Sequence, residues 1–256
     1  MKQFILFASM FTPLVSYGQL LLSESFEDYS PGKEITQASG LWHFETGIGD
    51  PYRPEPVVRT AKDGVSPYAG KQMLEARTHH KRGGANFYRS GVLFPEGTTS
   101  ATISSRFLLV QGEIGDPFLS MKFTPGRTTT LDVDFSAGTL RFAGAGFAND
   151  RANYSFERNR WYEITLAYDL VLQQEKLLIN GAPIFDRPHS DGTKMNAFMP
   201  FFNVAQRADV SHLYSEAVGA PFLFIDDARI VAVPEPGSMV ILGLFCACAN
   251  IRKRRR

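Results

Sequence analysis

Asp132 and Asp134, in the run Leu131-Asp132-Val133-Asp134-Phe135, offer the first chemistry in this sequence. In an extended segment residues two apart share a face. Two carboxylates so placed can act as nucleophile and acid across a glycosidic bond, although two short Asp on an outward strand face are usually just solvated. A second acidic set joins Glu27 and Asp28 near one end to Asp226 and Asp227 near the other. Carboxylates with backbone carbonyls are what a hard cation such as Ca²⁺ takes. Glu27, Asp226 and Asp227 are therefore the candidate metal ligands, provided that their segments are neighbours. The plain alternative is a turn acid, with one exposed and one core-facing Asp on the last strand. His79-His80 has the residue type of a transition-metal pair, but adjacent strand residues point to opposite faces, and the run Thr78–Gly84 is polar.

For ligand binding the useful types are aromatics that stack on rings and polar groups that fix orientation. Tyr52, Tyr68, Tyr88 and Tyr214 lie in turn-rich stretches, with Arg53, His79, Arg82 and Arg89 nearby. Tyr52, Tyr88, Arg89 and His79 form the candidate ligand-binding set. Trp42, in an apolar run, reads as core. No Ser nucleophile elbow, His-Glu-x-x-His or phosphate loop occurs, and no catalytic residue is assigned.

The elements that must position these groups are strands. Trp161–Tyr168 alternates, with Tyr162, Ile164, Leu166 and Tyr168 on one apolar face. Glu175–Ile179 ends at Asn180-Gly181, a hairpin turn signal, and Ala182–Phe185 can return beside it. Leu20–Phe26, Leu41–Glu45, Met73–Arg77, Phe87–Phe94, Ala101–Val110, Phe118–Phe123, Thr130–Phe135, Thr139–Phe142, Phe201–Val204 and Phe222–Val231 complete the set. Thr130 to Phe142 predicts a second hairpin. Strands without convincing helices exclude a βαβ fold and predict an all-β, two-sheet antiparallel β-sandwich, a jelly roll. The Pro-rich stretch Asp50–Pro56 reads as a long surface loop.

The ends read differently. Lys2, an apolar stretch from Phe4 to Val15 and the small exit Ser16-Tyr17-Gly18 predict a signal peptide over 1–18, cut before Gln19 by signal peptidase. Pro234-Glu235-Pro236 precedes an apolar run of about 14 residues, about 21 Å as a helix and short for a full crossing. Five basic residues, Arg252 to Arg256, follow. They and Lys2 hold six of the 27 basic residues against 26 acidic ones, so the body between is mildly acidic. Nucleic acid is an unfavourable partner for such a surface. The two cysteines, Cys246 and Cys248, both lie in the apolar run, leaving the body no disulfide.

This C-terminal stretch resembles the PEP-CTERM sorting signal of Gram-negative bacteria: Pro234-Glu235-Pro236, a short hydrophobic helix, an Arg-rich tail. The resemblance implies transient inner-membrane anchoring, cleavage by an exosortase near the motif, and delivery to the cell surface or extracellular matrix. The domains are then 1–18, 19–233 and 234–256. In the body, Trp161–Asp169 followed by Leu177-Leu178-Ile179-Asn180-Gly181 resembles the central hairpin of concanavalin A-like (laminin-G, lectin and glucanase) sandwiches. Ser25–Gly32 and Phe224–Ile230 resemble the first and last strands of many secreted jelly rolls. That resemblance implies a structural Ca²⁺ between those strands. It also implies an acidic catalytic strand in the glucanases, for which Ser136 here lacks the third acid. The expectation is an exported, non-catalytic, lectin-like protein that binds or sits in extracellular polysaccharide. The alternatives are a glycan-cleaving enzyme on the same fold and a purely structural matrix protein.

Overall fold

The computed structural model describes residues 18–45, 55–61, 64–77, 85–110, 117–123, 130–134, 138–143, 150–189, 195–206 and 221–235. The expected signal peptide and the apolar tail lie outside them. Among the described residues no helix is long and apolar enough to cross a membrane.

The strands in chain order begin with β1 (Gln19–Glu24), β2 (Trp42–Glu45), β3 (Val57–Arg59), β4 (Met73–Arg77), β5 (Ala85–Arg89) and β6 (Val92–Leu93). Next come β7 (Thr98–Leu109), β8 (Pro117–Lys122), β9 (Thr130–Asp134), β10 (Thr139–Ala143), β11 (Asp150–Asn153) and β12 (Trp161–Asp169). Then follow β13 (Gln174–Ile179), β14 (Ala182–Pro188), β15 (Ala197–Phe198), β16 (Phe201–Gln206) and β17 (Pro221–Pro234). A single turn of helix, α1 (Ile35–Ala38), breaks the pattern. One sheet has eight strands in the order β14-β13-β12-β7-β17-β4-β3, with β1 also on β17. The other has seven, β11-β10-β9-β8-β16-β5-β2, and β15-β6 form a small ribbon. All pairings are antiparallel.

The alternation in β12 decides which face is buried. Tyr162, Ile164, Leu166 and Tyr168 are all buried and share one cluster with Leu131, Val133, Leu140 and Phe142 of the opposite sheet. Fully burying one such side chain is worth about 1.5–3 kcal/mol, so these alternating rows fix the sheet-on-sheet packing. Trp42, Phe87 and Phe202 form an aromatic stack, with ring centroids 6.1 and 5.3 Å apart for the Trp42–Phe87 and Phe87–Phe202 pairs. Asn180 and Gly181 take φ of 51° and 77°, the left-handed pair that a two-residue hairpin requires.

The structure corrects three readings. The run Phe87–Phe94 is not one strand: it breaks at Ser90-Gly91, and its halves pair in different sheets. A short strand that was not expected, β3, follows the Pro-rich stretch, most of which lies outside the described residues, and its Val58 pairs with Leu74. A helical turn, α1, stands where none was expected, with Ile35 fully buried beneath it.

Candidate functional site

On the side away from the core the seven-stranded sheet carries a polar row over β8 to β11. Register carries one row across four strands, Ser120↔Asp132↔Arg141↔Arg151. Their strand neighbours Met121, Leu131, Val133, Leu140 and Phe142 point inward and are buried. Asp132, Asp134, Thr139, Arg141 and Arg151 line a hollow of ≈ 240 Å³. Arg141 Nε stands 3.5 Å from Asp132 Oδ2. On the same face His43 pairs with Tyr88, and the two rings stack with centroids 5.2 Å apart at 29°. Strands β5 and β9 are three positions apart in the sheet, about 14 Å at the usual spacing. The face thus offers an aromatic platform and a charged hollow across the width of several sugar rings.

The first and last strands pair as expected, Glu24 opposite Ala228, and Glu27 comes close enough to Asp226 to raise its pKa. Asp226 and Asp227 do not split between core and solvent. Two residues, Asp227 and Ala228, oppose Ser105 alone, because register jumps from Asp226↔Arg106 to Arg229↔Ser104. This is a β-bulge, and Asp227 sits in it with φ 54°. Both aspartates are buried. The Asp227 carboxylate is bound by Arg106 and, at 2.5 Å, by Arg229 Nε. It is committed to this ion pair rather than turned toward Glu27.

Asp226 instead holds the loop before β4. Its Oδ2 accepts the Tyr68 and Ala69 amides at 3.0 and 3.2 Å. Glu27 Oε1 accepts those of Lys71 and Gln72, both at 2.7 Å, and Gln72 Nε2 donates to the Glu27 carbonyl at 2.9 Å. Two buried oxygens beside this clamp, Asp226 Oδ1 and Gln72 Oε1, have no hydrogen-bond partner. Burial, with a smaller push from Glu27, raises the Asp226 pKa to about 6 against the two amides and Arg106. Orphaned oxygens of this kind fit a hard cation. Among the described residues no three acidic, His or Cys side chains gather as a metal group. A cation here would draw on Asp226, Glu27 and the Gln72 amide oxygen.

Of the sequence-assigned ligand residues, Tyr88 lies on the open sheet face. Arg89, next to it, faces the other way: its Nη1 is 2.8 Å from Glu24 Oε2, and both side chains are largely buried. Glu24 also accepts Tyr29 Oη at 2.6 Å and Trp42 Nε1 at 3.2 Å, so Arg89 is bound into a packed polar knot. Tyr52 and His79 lie outside the described residues, as does Pro236. Pro234 ends β17, and the Glu235 amide donates to the Gly97 carbonyl at 2.6 Å. The sequence did not single out His43 or Glu24. His43 had a signal in its alternation with Trp42 and Phe44, whereas nothing local marks Glu24 as the partner of a residue 65 positions away.

The sequence matches no protein-family model, and no curated protein matches it. Solved structures do share its fold. An endo-1,3-beta-glucanase from Streptomyces sioyaensis aligns over 85% of this chain and 97% of its own, with TM-score 0.55 and 10% identity. The chain has the jelly-roll architecture of that enzyme. Looser likenesses include domain 4 of an extracellular arabinanase from Geobacillus stearothermophilus, in complex with arabinotriose (TM-score 0.47, 14% identity, 86% of this chain and 96% of that one). A galectin from Caenorhabditis elegans aligns over 55% of this chain and 89% of its own, with TM-score 0.37 and 14% identity.

Proposed function

We infer that the protein binds extracellular polysaccharide on the outer face of its seven-stranded sheet and does not cleave it. One observation carries this: the stacked His43–Tyr88 pair lies on the same open face as the hollow of Asp132, Asp134, Arg141 and Arg151. Stacking rings supply apolar contact to a sugar, and flanking charged groups supply its hydroxyls with donors and acceptors. The fold shared with a 1,3-beta-glucanase supports a carbohydrate ligand. Turnover is disfavoured because Asp132 pairs with Arg141 and the alternating acid series ends at Ser136. On the sequence signals, the chain is exported, held briefly in the inner membrane and released by an exosortase to the surface or matrix.

A glycan array tests the binding. Retention of at least one polysaccharide, weakened about tenfold by Tyr88→Ala, supports it. An array without retention leaves a structural matrix protein. The second reading, glycan cleavage, is favoured by the shared face of Asp132 and Asp134. Following reducing ends on β-glucans tests it, and turnover abolished by Asp132→Asn or Asp134→Asn would replace the binding reading with a hydrolase.

A further inference from the structure

The outer face of the eight-stranded sheet is covered at one end by the loop that precedes β4. Beneath this loop Val65, Met73, Leu108 and Phe224 close a small apolar cluster of their own. At its margin a cleft of ≈ 420 Å³ is open, within the size range of small-molecule sites. Buried Val65 and Leu108 lie at its base, Tyr68 and Trp161 flank it, and Ser66 and Asn159 are exposed at its rim. The two rings meet edge to face, with centroids 6.2 Å apart at 77°. Trp161 is held by its Nε1, which donates to the Ser66 carbonyl at 3.1 Å. The Arg106 guanidinium lies 3.9 Å from the Tyr68 centroid and covers one face of that ring. Tyr68 is nevertheless 50% exposed.

We propose that this cleft is a second glycan-binding site, one that takes a single pyranose unit of a neutral polysaccharide. A pyranose has apolar C–H faces and a periphery of hydroxyls. The faces suit the two rings, and the hydroxyls suit the Asn159 amide and the Ser66 hydroxyl, which both donate and accept. A neutral ligand fits the lining, which among the described residues contains no charged side chain. Arg106, which covers Tyr68, is already shared between Asp227 and Glu163. The walls are pre-set, since the Tyr68 and Ala69 amides are bonded to Asp226. A site fixed in this way loses little entropy on binding. The cleft opens on the sheet opposite the His43–Tyr88 face. If the proposed glycan site on that face also holds, one molecule joins two polysaccharide chains, with the avidity gain that two linked sites give.

The test uses the full chain in a non-glycosidic detergent, titrated with hexasaccharides of β-1,3-glucan, β-1,4-glucan and β-1,4-xylan. The protein has two Trp: Trp161 lines the cleft and Trp42 is buried beneath the His43–Tyr88 face, so the Tyr68 and Tyr88 variants assign a saturable change in emission to one site or the other. We expect at least one hexasaccharide to produce it. Tyr68→Ala should weaken that binding about tenfold, Tyr68→Phe should keep it within about twofold, and Tyr88→Ala should leave it unchanged. If Tyr68→Ala does not fold, the shift of the wild-type Trp161 indole N–H on adding sugar decides instead. No emission change with any of the three, or a change abolished by Tyr88→Ala and indifferent to Tyr68→Ala, overturns the proposal. The latter outcome would leave the sheet-face reading intact. Binding lost in Tyr68→Ala and untouched in Tyr88→Ala on every assay would remove the sheet face and keep the cleft.

Discussion

Asp226 is a carboxylate that the fold keeps from water. Its pKa rises from 3.8 to about 6, chiefly by burial. Below the lower value it is protonated whether the chain is folded or not. Between the two values only the native state holds the proton, so stability falls as pH rises through this window. Above it the full cost is present, about 3 kcal/mol for that difference. Metal-free protein should therefore melt several degrees lower at pH 7 than at pH 4.5 on account of this group, and Asp226→Asn should flatten the dependence. Ca²⁺ on the orphaned oxygens would act in the opposite sense, adding about 2.7 kcal/mol at a hundredfold excess over Kd. At about 2–4 °C per kcal/mol, this raises Tm by several degrees in wild type and by none in Asp226→Asn. Equal melting curves in chelator and in millimolar Ca²⁺, at matched ionic strength, remove the metal. The Glu27–Asp226 meeting was legible from two acidic clusters on strands expected to pair. The fate of Asp227 was not, because strand alternation cannot show a bulge, and its Arg106 partner is 121 residues away.

Turns and loops show what local sequence encodes and what tertiary contact adds. Asn180-Gly181 was readable because both residues tolerate the left-handed region, and strict alternation in Trp161–Tyr168 gave the buried face of its neighbour. Strand β3 was not readable: three residues after a Pro-rich stretch carry no period, and only pairing with β4 makes them a strand. Likewise nothing near Tyr68 or Trp161 in sequence signals that they share a cleft, since 93 residues of chain separate them. Two glycines allow the local and tertiary contributions to be separated. Gly181 has φ +77° and nothing within 4 Å of an added Cβ, so Gly181→Ala should cost about 1 kcal/mol from the backbone alone. Gly70 has φ +69°, and an added Cβ would lie 2.5 Å from Glu27 Oε1. Gly70→Ala should cost clearly more, about 2–3 kcal/mol, because it also breaks the clamp on Lys71 and Gln72. Urea denaturation of the two variants checks the order, and equal losses would mean that the Glu27 clamp contributes nothing.

At the scale of the whole molecule the question is where the folded body stops and the proposed sorting signal starts. β17 stays paired with β7 as far as Pro234↔Thr98, and the next amide, Glu235, still bonds to Gly97. The body therefore reaches into the Pro-Glu-Pro motif itself, with no free linker between them. Fixed φ at Pro234 keeps the end of β17 extended, a form that a membrane protease can grip. The charges beyond it would hold Arg252 to Arg256 at the cytoplasmic face, and an apolar run of about 14 residues is short for a permanent span. Seating so short a helix would bring the sandwich close against the outer surface of the inner membrane until cleavage frees it. Intact-mass measurement of the mature surface protein in its own host should then give a chain beginning near Gln19 and ending between Val233 and Gly237, without Cys246 or Cys248. A mature end upstream of Val233 would cut into β17 and should unfold the pairing with β1 as well as β7, so it is not expected in a stable product. Recovery of the tail through Arg256 in the surface pool would make the protein an ordinary tail-anchored one and end the sorting proposal.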